Sequence, residues 1–277
     1  MQKTFLCFVH VERAGGTTMH KMLQNSMPTY LSLKSWVGLS DRRNILSKEK
    51  VRFLLKILPH TPGIGGHTVA AFLGYEDVVR DRSIFYFTFL REPISRYMSH
   101  FNYQRLVMGI NWSPDAFFAD PRFSNYQTKK IAGQPDLEKA KKILNQNFGF
   151  VGLTEYFDES LVILKRSLEE KIQLDIHYER LNDLREMIGL VDLTTLSSEA
   201  QERVYYNNSV DIQLYEYVRA ELYPRFKDHY GEGLNADIEQ FLRSNASYRY
   251  PKAKMLAIKS YTAAIRLLVE PVMHRLA

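Results

Sequence analysis

Apolar residues run almost unbroken through residues 5–11, and aromatic and β-branched types dominate the run, the pattern of a strand buried on both faces. Glu12-Arg13-Ala14-Gly15-Gly16-Thr17-Thr18 interrupts it, and Met19, Met22 and Leu23 then resume at helical spacing. A second apolar run, SIFYFTFL at 83–90, predicts another buried strand that ends at Arg91-Glu92-Pro93. A helix over 94–105 follows, with Pro93 in its first turn. FGFVGL at 148–153 predicts a short third strand. Helical periodicity recurs at 46–58, 115–118, 123–131, 137–146, 156–168, 197–207 and 210–230, with a short helix at 69–73. Residues 34–41 and 191–196 read as loops, and the turn-rich stretch 59–67 reads as irregular.

Strands separated by helices predict an α/β fold, a mainly parallel sheet flanked by helices with a helical C-terminal part. The tail has its own character. Met255, Ile258, Ile265, Leu268, Val269 and Met273 alternate with Lys252, Lys254, Lys259, Arg266 and Arg275, and Pro271 predicts a kink. Residues 1–245 are therefore expected as one domain and 246–277 as a basic amphipathic helix. Two roles stay open for that helix: docking on the main domain, or peripheral contact with a membrane or partner.

Composition narrows the class. The chain of 277 residues is 45% apolar and 25% charged, which suits a globular protein with a substantial core. The excess of 37 basic over 31 acidic side chains is too mild for a nucleic-acid binder but suits an anionic cofactor or substrate. Cys7 is the only cysteine, which excludes an internal disulfide and fits a reducing compartment. No basic leader with a long apolar run precedes the first strand, and no segment offers the roughly 18 uncharged apolar residues of a spanning helix. A cytoplasmic location is expected.

The special residues lie where strands end, and ligands of parallel sheets bind at those ends. A strand, a glycine turn and a helix start form an anion cradle: glycines let the backbone approach, and the first amides and dipole of the helix favour a phosphate. Arg13 adds a charged donor, and Thr17 and Thr18 add hydroxyls. An ordinary capping turn is the alternative for this stretch alone. After the second strand, Arg91 and Ser99 offer a guanidinium and a hydroxyl to a second phosphate, with a helix-start salt bridge as the alternative. Two cradles on one sheet imply a ligand with phosphates at two ends. The sequence G-x-x-x-x-G-K-[ST] is missing, and Arg91 stands where a magnesium-holding aspartate would end the second strand, which argues against a metal-dependent kinase.

These motifs resemble those of a known family. HVERAGGTT (10–18) resembles the 5′-phosphosulfate loop of PAPS-dependent carbohydrate sulfotransferases, typically HVPKTGGTT. FLREPISRYMSHF (89–101) resembles their 3′-phosphate motif, and NYQTKKIAG (125–133) resembles a segment of the heparan sulfate 6-O-enzymes. VGLTEYFDES (151–160) and SVDIQLYEYVRAEL (209–222) resemble later segments, in family order. The resemblance implies a P-loop-type fold and transfer of a sulfuryl group from PAPS to a hydroxyl, with PAP as product and no metal. It implies that Arg13, Ala14, Gly15, Gly16, Thr17 and Thr18 hold the 5′ end and that Arg91 and Ser99 hold the 3′-phosphate. His67 falls where the heparan sulfate 2-O- and 6-O-enzymes place their catalytic histidine, with His60 as its rival. Neutral imidazole suits a base that takes a hydroxyl proton, and Arg13 would stabilise charge on the leaving oxygen.

Arg105, Trp112, Gln127, Thr128 and Lys129 are the acceptor candidates. Trp112 could equally be packing, and Lys129 and Lys130 could equally be a solvated face. A glycan hydroxyl is the expected acceptor, with a lipid or secondary metabolite as alternatives. A non-catalytic PAP-binding relative and, less so, a P-loop kinase are the other readings. Two residues depart from the family pattern: Glu12 replaces proline, and Arg13 replaces lysine.

Overall fold

The computed structural model describes residues 3–33, 45–179 and 188–275. The loop read at 34–41 lies outside the described residues. Five parallel strands form one sheet: β1 (Lys3–Val9), β2 (Leu31–Ser32), β3 (Gly63–Gly66), β4 (Arg82–Leu90) and β5 (Phe148–Leu153), in the order β2-β3-β1-β4-β5. The α/β expectation holds. Phe5, Leu6, Cys7, Phe8 and Val9 are wholly buried, as their uninterrupted apolar pattern requires.

The helices are α1 (Gly16–Ser26), α2 (Lys48–Ile57), α3 (Pro93–Leu106), α4 (Pro114–Ala119), α5 (Tyr126–Ala132), α6 (Leu137–Asn147), α7 (Phe157–Leu168), α8 (Ser198–Asn207), α9 (Ser209–Tyr217), α10 (Tyr223–Tyr230), α11 (Leu234–Asn245) and α12 (Lys252–Arg275). Between α9 and α10 the chain widens into a π turn, Val218–Leu222, just before Pro224, whose missing N–H cannot continue the α ladder. The continuous helix expected over 210–230 is thus three segments. Short 3-10 turns replace the helix expected at 69–73 and part of the loop at 191–196.

The main surprise is β3. The stretch read as irregular is a core strand, GIGG, parallel to β1 and β2. Strands rarely tolerate glycines, yet here close approach requires them. A Cβ at Gly63 would lie 2.4 Å from the Leu6 carbonyl oxygen, and one at Gly65 would lie 2.0 Å from the Tyr30 hydroxyl.

The β1 crossover runs toward β2 and the β4 crossover toward β5, so the chain diverges between β1 and β4. In sheets of this kind ligands bind at the carboxyl edge of that switch point. A second apolar cluster, Tyr97, Phe101, Phe117, Phe118 and Val204, joins α3, α4 and α8 beside it. The tail helix packs against α1 and α2, with Ile258, Val269 and Met273 buried and Gln24 Nε2 donating to Thr262 Oγ1 at 3.4 Å. It continues through Pro271 and leaves Leu256, Leu267 and Leu268 exposed. Among the described residues no helix is long and apolar enough to cross a membrane.

Gly63→Ala should cost about 3 kcal/mol, because the added carbon meets backbone of the neighbouring strand and that strand cannot yield. Urea unfolding followed by circular dichroism checks this; an unchanged midpoint contradicts the strand packing.

Candidate active site at the carboxyl edge of the sheet

β1 ends at Val9 and α1 begins at Gly16, and the turn between them uses both glycines differently. Gly15 sits at φ +76°, a left-handed conformation that L side chains resist. Gly16 lies on the His10 ring: a Cβ there would be 1.7 Å from His10 Nε2. Arg13 also has positive φ, 68°, a strained state that the surrounding contacts hold. No side chain caps α1, and its first turn has no acidic residue, so its leading amides and dipole suit an anion. The start of α3 is different, since the Glu92 carboxylate accepts from the amides of Ile94 (3.0 Å) and Ser95 (2.7 Å).

The two cationic loops meet. Arg13 Nε donates to Ser99 Oγ at 3.1 Å, and its guanidinium lies over the Tyr103 ring, 4.5 Å from the centroid. Arg91 Nη1 donates to the Arg13 carbonyl at 3.1 Å. Arg13 therefore points along α3 toward Ser99, and Arg13, Arg91 and Ser99 form one cluster.

His67 is the first residue after β3, and Gly66, Val9 and Thr88 stand level in the sheet. This places His67 beside the β1 turn, with its ring centroid 4.1 Å from that of His10. His60, the rival, is exposed and precedes β3, at the opposite edge of the sheet. His10 and His20 lie beneath the loop, Nδ1 to Nε2 at 3.2 Å, with the Tyr30 hydroxyl 3.2 Å from His20 Nδ1.

Glu12 occupies the centre. Its Oε1 lies 3.6 Å from His67 Nδ1, an ion-pair distance, and its Oε2 lies 3.1 Å from His100 Nε2. About a quarter of the Glu12 and His67 side chains meets solvent, 26% and 24%, so small molecules can reach both. Burial pushes the Glu12 carboxyl up, but His67, His100, Lys130 and Arg96 outweigh it and hold it below the usual range. His100 is pushed down to about 4 by burial, against the pull of Glu12, so it is neutral at pH 7.

Several members of this cluster were not singled out in the sequence. Arg96 is wholly buried and its guanidinium nitrogens make no hydrogen bond among the described residues. Its charge faces the Tyr126 ring at 5.0 Å and the carboxylates of Asp211 and Glu12. Lys130 is pushed down to about 8 by burial, with Glu12 opposing. The Tyr126 hydroxyl also faces Glu12, which raises it further after burial. Helical spacing held the signal: Arg96, Ser99, His100 and Tyr103 form one stripe of α3, and Tyr126 and Lys130 are i and i+4 on α5.

The acceptor candidates are placed differently from expectation. Gln127 and Thr128 are buried, and their side chains are engaged within the protein. Gln127 accepts from the Arg91 amide at 3.0 Å and donates to the Arg91 carbonyl at 2.8 Å. Asp211 accepts from the Thr128 hydroxyl and the amides of Gln127 and Thr128 within 2.9 Å. These residues shape the Arg91 loop. Lys129 donates to the carbonyls of Pro121 and Arg122 at 2.6 and 3.4 Å, and it is Lys130 that turns to the site. Trp112 packs edge-on against Phe117 and Phe123, and Arg105 lies over the Phe101 ring at 5.2 Å.

Fold and site together define a parallel α/β protein whose strand ends gather an uncapped helix start, two arginines and an imidazole. Comparisons with known proteins show what the chain is similar to. A family model described as Galactose-3-O-sulfotransferase matches residues 128–250. The chain is 25% identical over 205 residues to mouse galactosylceramide sulfotransferase, covering 64% of this chain and 47% of that protein. It is 28% identical over 183 residues to mouse galactose-3-O-sulfotransferase 2 (53% and 44%), and 24% identical over 190 residues to mouse uronyl 2-sulfotransferase (55% and 46%). The chain thus spans less than half the length of these curated relatives. It is similar to proteins named as carbohydrate sulfotransferases, in line with the resemblance of its motifs.

The acid limb of stability follows from His100. Its folded pKa of about 4 lies below the ordinary value of 6.5, so the unfolded chain takes up this proton first as pH falls. Its stabilising contribution is complete above pH 6.5 and is lost between there and pH 4, about 3 kcal/mol in all. Urea unfolding at several pH values in that window should show a shallower loss for His100→Gln than for the native chain. Equal slopes contradict the assignment.

Proposed function

We propose that this protein transfers a sulfuryl group from PAPS to a hydroxyl of a sugar, carried on a glycan or glycolipid. The observation that supports this best is the meeting of three features at one switch point: the uncapped start of α1, the Arg13–Ser99–Arg91 cluster, and His67. The donor set suits a nucleotide with phosphates at two ends. Gly15, Gly16, Thr17 and Thr18 present helix-start amides and hydroxyls to the 5′ end, with Ala14 in the turn before them, while Arg91 and Ser99 present a fork and a hydroxyl to the 3′ end. Bound PAPS supplies the sulfuryl group and leaves as PAP.

His67 acts as general base. A sugar hydroxyl has a pKa far above 7, and His67 takes its proton as the oxygen attacks. Arg13 and the amides of the turn then face the charge that develops on the leaving side. His10, beneath Gly16, supports the loop from below. The names of the relatives favour a galactose- or uronic-acid-bearing acceptor, which extends the reading to glycolipids.

Calorimetric titration separates this from a general nucleotide site. PAP should bind at least about tenfold more tightly than ADP, because the 3′-phosphate gains charge-assisted hydrogen bonds. Equal affinities would remove the 3′-phosphate role of Arg91 and Ser99. His67→Ala should keep PAP affinity and lose transfer of labelled sulfate from PAPS; unchanged turnover would place the base elsewhere.

A further inference from the structure

Glu12 is an odd residue for an anion cradle. A carboxylate one position before Arg13 repels the ligand the turn is shaped to hold, and a neutral residue there would avoid that cost. The structure surrounds it instead. His67 lies 3.6 Å from one oxygen and His100 lies 3.1 Å from the other. Behind them, Arg96 from α3 and Tyr126 and Lys130 from α5 face the same carboxylate. His10 stacks near His67 from the end of β1, and Arg13 adds its charge from the turn. The end of β3, α3 and α5 therefore converge on Glu12, more than a surface ion pair needs.

The two oxygens are not equivalent. Oε2 is anchored by His100, which is almost wholly buried, with 3% of its side chain exposed. Oε1 lies 3.6 Å from His67 Nδ1, a buried atom of a ring that is otherwise partly exposed. A carboxylate at one ring nitrogen of a histidine fixes the tautomer and leaves the other nitrogen to do chemistry. Resting on the sulfotransferase reading, we infer that Glu12 is the positioning residue of the base. Its carboxylate holds His67 with Nδ1–H toward the turn, so that Nε2 faces the acceptor hydroxyl.

The proton account closes. The hydroxyl proton moves to His67 Nε2 while the hydroxyl oxygen bonds to sulfur and the bond from sulfur to the leaving phosphate oxygen breaks. Glu12 stays ionised and stabilises the imidazolium that forms, as a buried aspartate does for other histidine bases. His100, neutral and anchored, keeps the carboxylate from swinging toward the anion site. The substitution of Glu12 for the usual proline then exchanges loop rigidity for control of the base.

Ring-¹⁵N labelling of histidine in the full chain tests this, with His67 assigned through His67→Asn. In the native protein the neutral ring of His67 should show the Nδ1-protonated tautomer. Glu12→Gln should lower the His67 pKa by about one unit, from the lost neighbouring charge. The acid limb of kcat/KM should move down by the same amount, while PAP affinity should not fall, because the charge removed repelled the anion. An Nε2-protonated native ring, or a His67 titration that does not move in Glu12→Gln, overturns the inference. The tautomer is read on the native chain, so a variant that fails to fold does not remove the test. The titrations need no turnover: absence of PAP binding and transfer in the native protein would sink the sulfotransferase reading, while the His67 spectra still decide the role of Glu12.

Discussion

Parallel pairing of β1 with β3 on one side and β4 on the other is the constraint on which the site depends. Parallel strands must be joined by crossovers, so their carboxyl ends share one edge. Val9, Gly66 and Thr88 are level in the sheet, and the residues that follow them emerge at one place. The anion turn, His67 and the Arg91 loop are brought together by this registry and by nothing local. β3 can lie so close only because it is almost bare of side chains, which lets Leu6 and the Tyr30 hydroxyl fill the space.

Charge is arranged in two layers around that edge. Arg13 and Arg91 meet there with Ser99 between them. Glu12 lies behind, and Arg96, Lys130 and His100 surround it. Burial acts on these groups unequally. The imidazole of His100, with an ordinary pKa near neutrality, gives up its charge, whereas the guanidinium of Arg96 starts so high that it keeps its own. The result is an ionised carboxylate held mainly by fixed donors, a stable electrostatic background for His67.

Much of the fold was legible along the chain. The uninterrupted apolar runs marked β1, β4 and β5, because burial on both faces leaves no polar positions in a strand. β3 was not, since a strand of glycines carries no hydrophobic signal and its reason for existing is a neighbour distant in sequence. In the site, the turn of residues 10–18 and the Arg91–Ser99 spacing were legible as motifs, because backbone geometry at a strand end is local. The partners of Gln127, Thr128 and Lys129, namely the Arg91 backbone, Asp211 and the Pro121 and Arg122 carbonyls, were not legible, because they are set by how α5 packs.

The amino-acid order alone determined a parallel α/β chain with two strand ends bearing arginines and a histidine in the sequence between them, since hydrophobic period, glycine turns and charged strand ends are short-range properties. Only the tertiary structure decided which histidine lies at the carboxyl edge, where Arg13 points, and what surrounds Glu12. His60 and His67 are indistinguishable as letters in a glycine-rich stretch, yet they lie at opposite edges of the sheet. Glu12 read as a departure from a pattern until α3 and α5 brought Arg96, His100, Tyr126 and Lys130 around it. Electrostatic fields depend on distance through space and on burial, and neither is written in the spacing of residues along a chain.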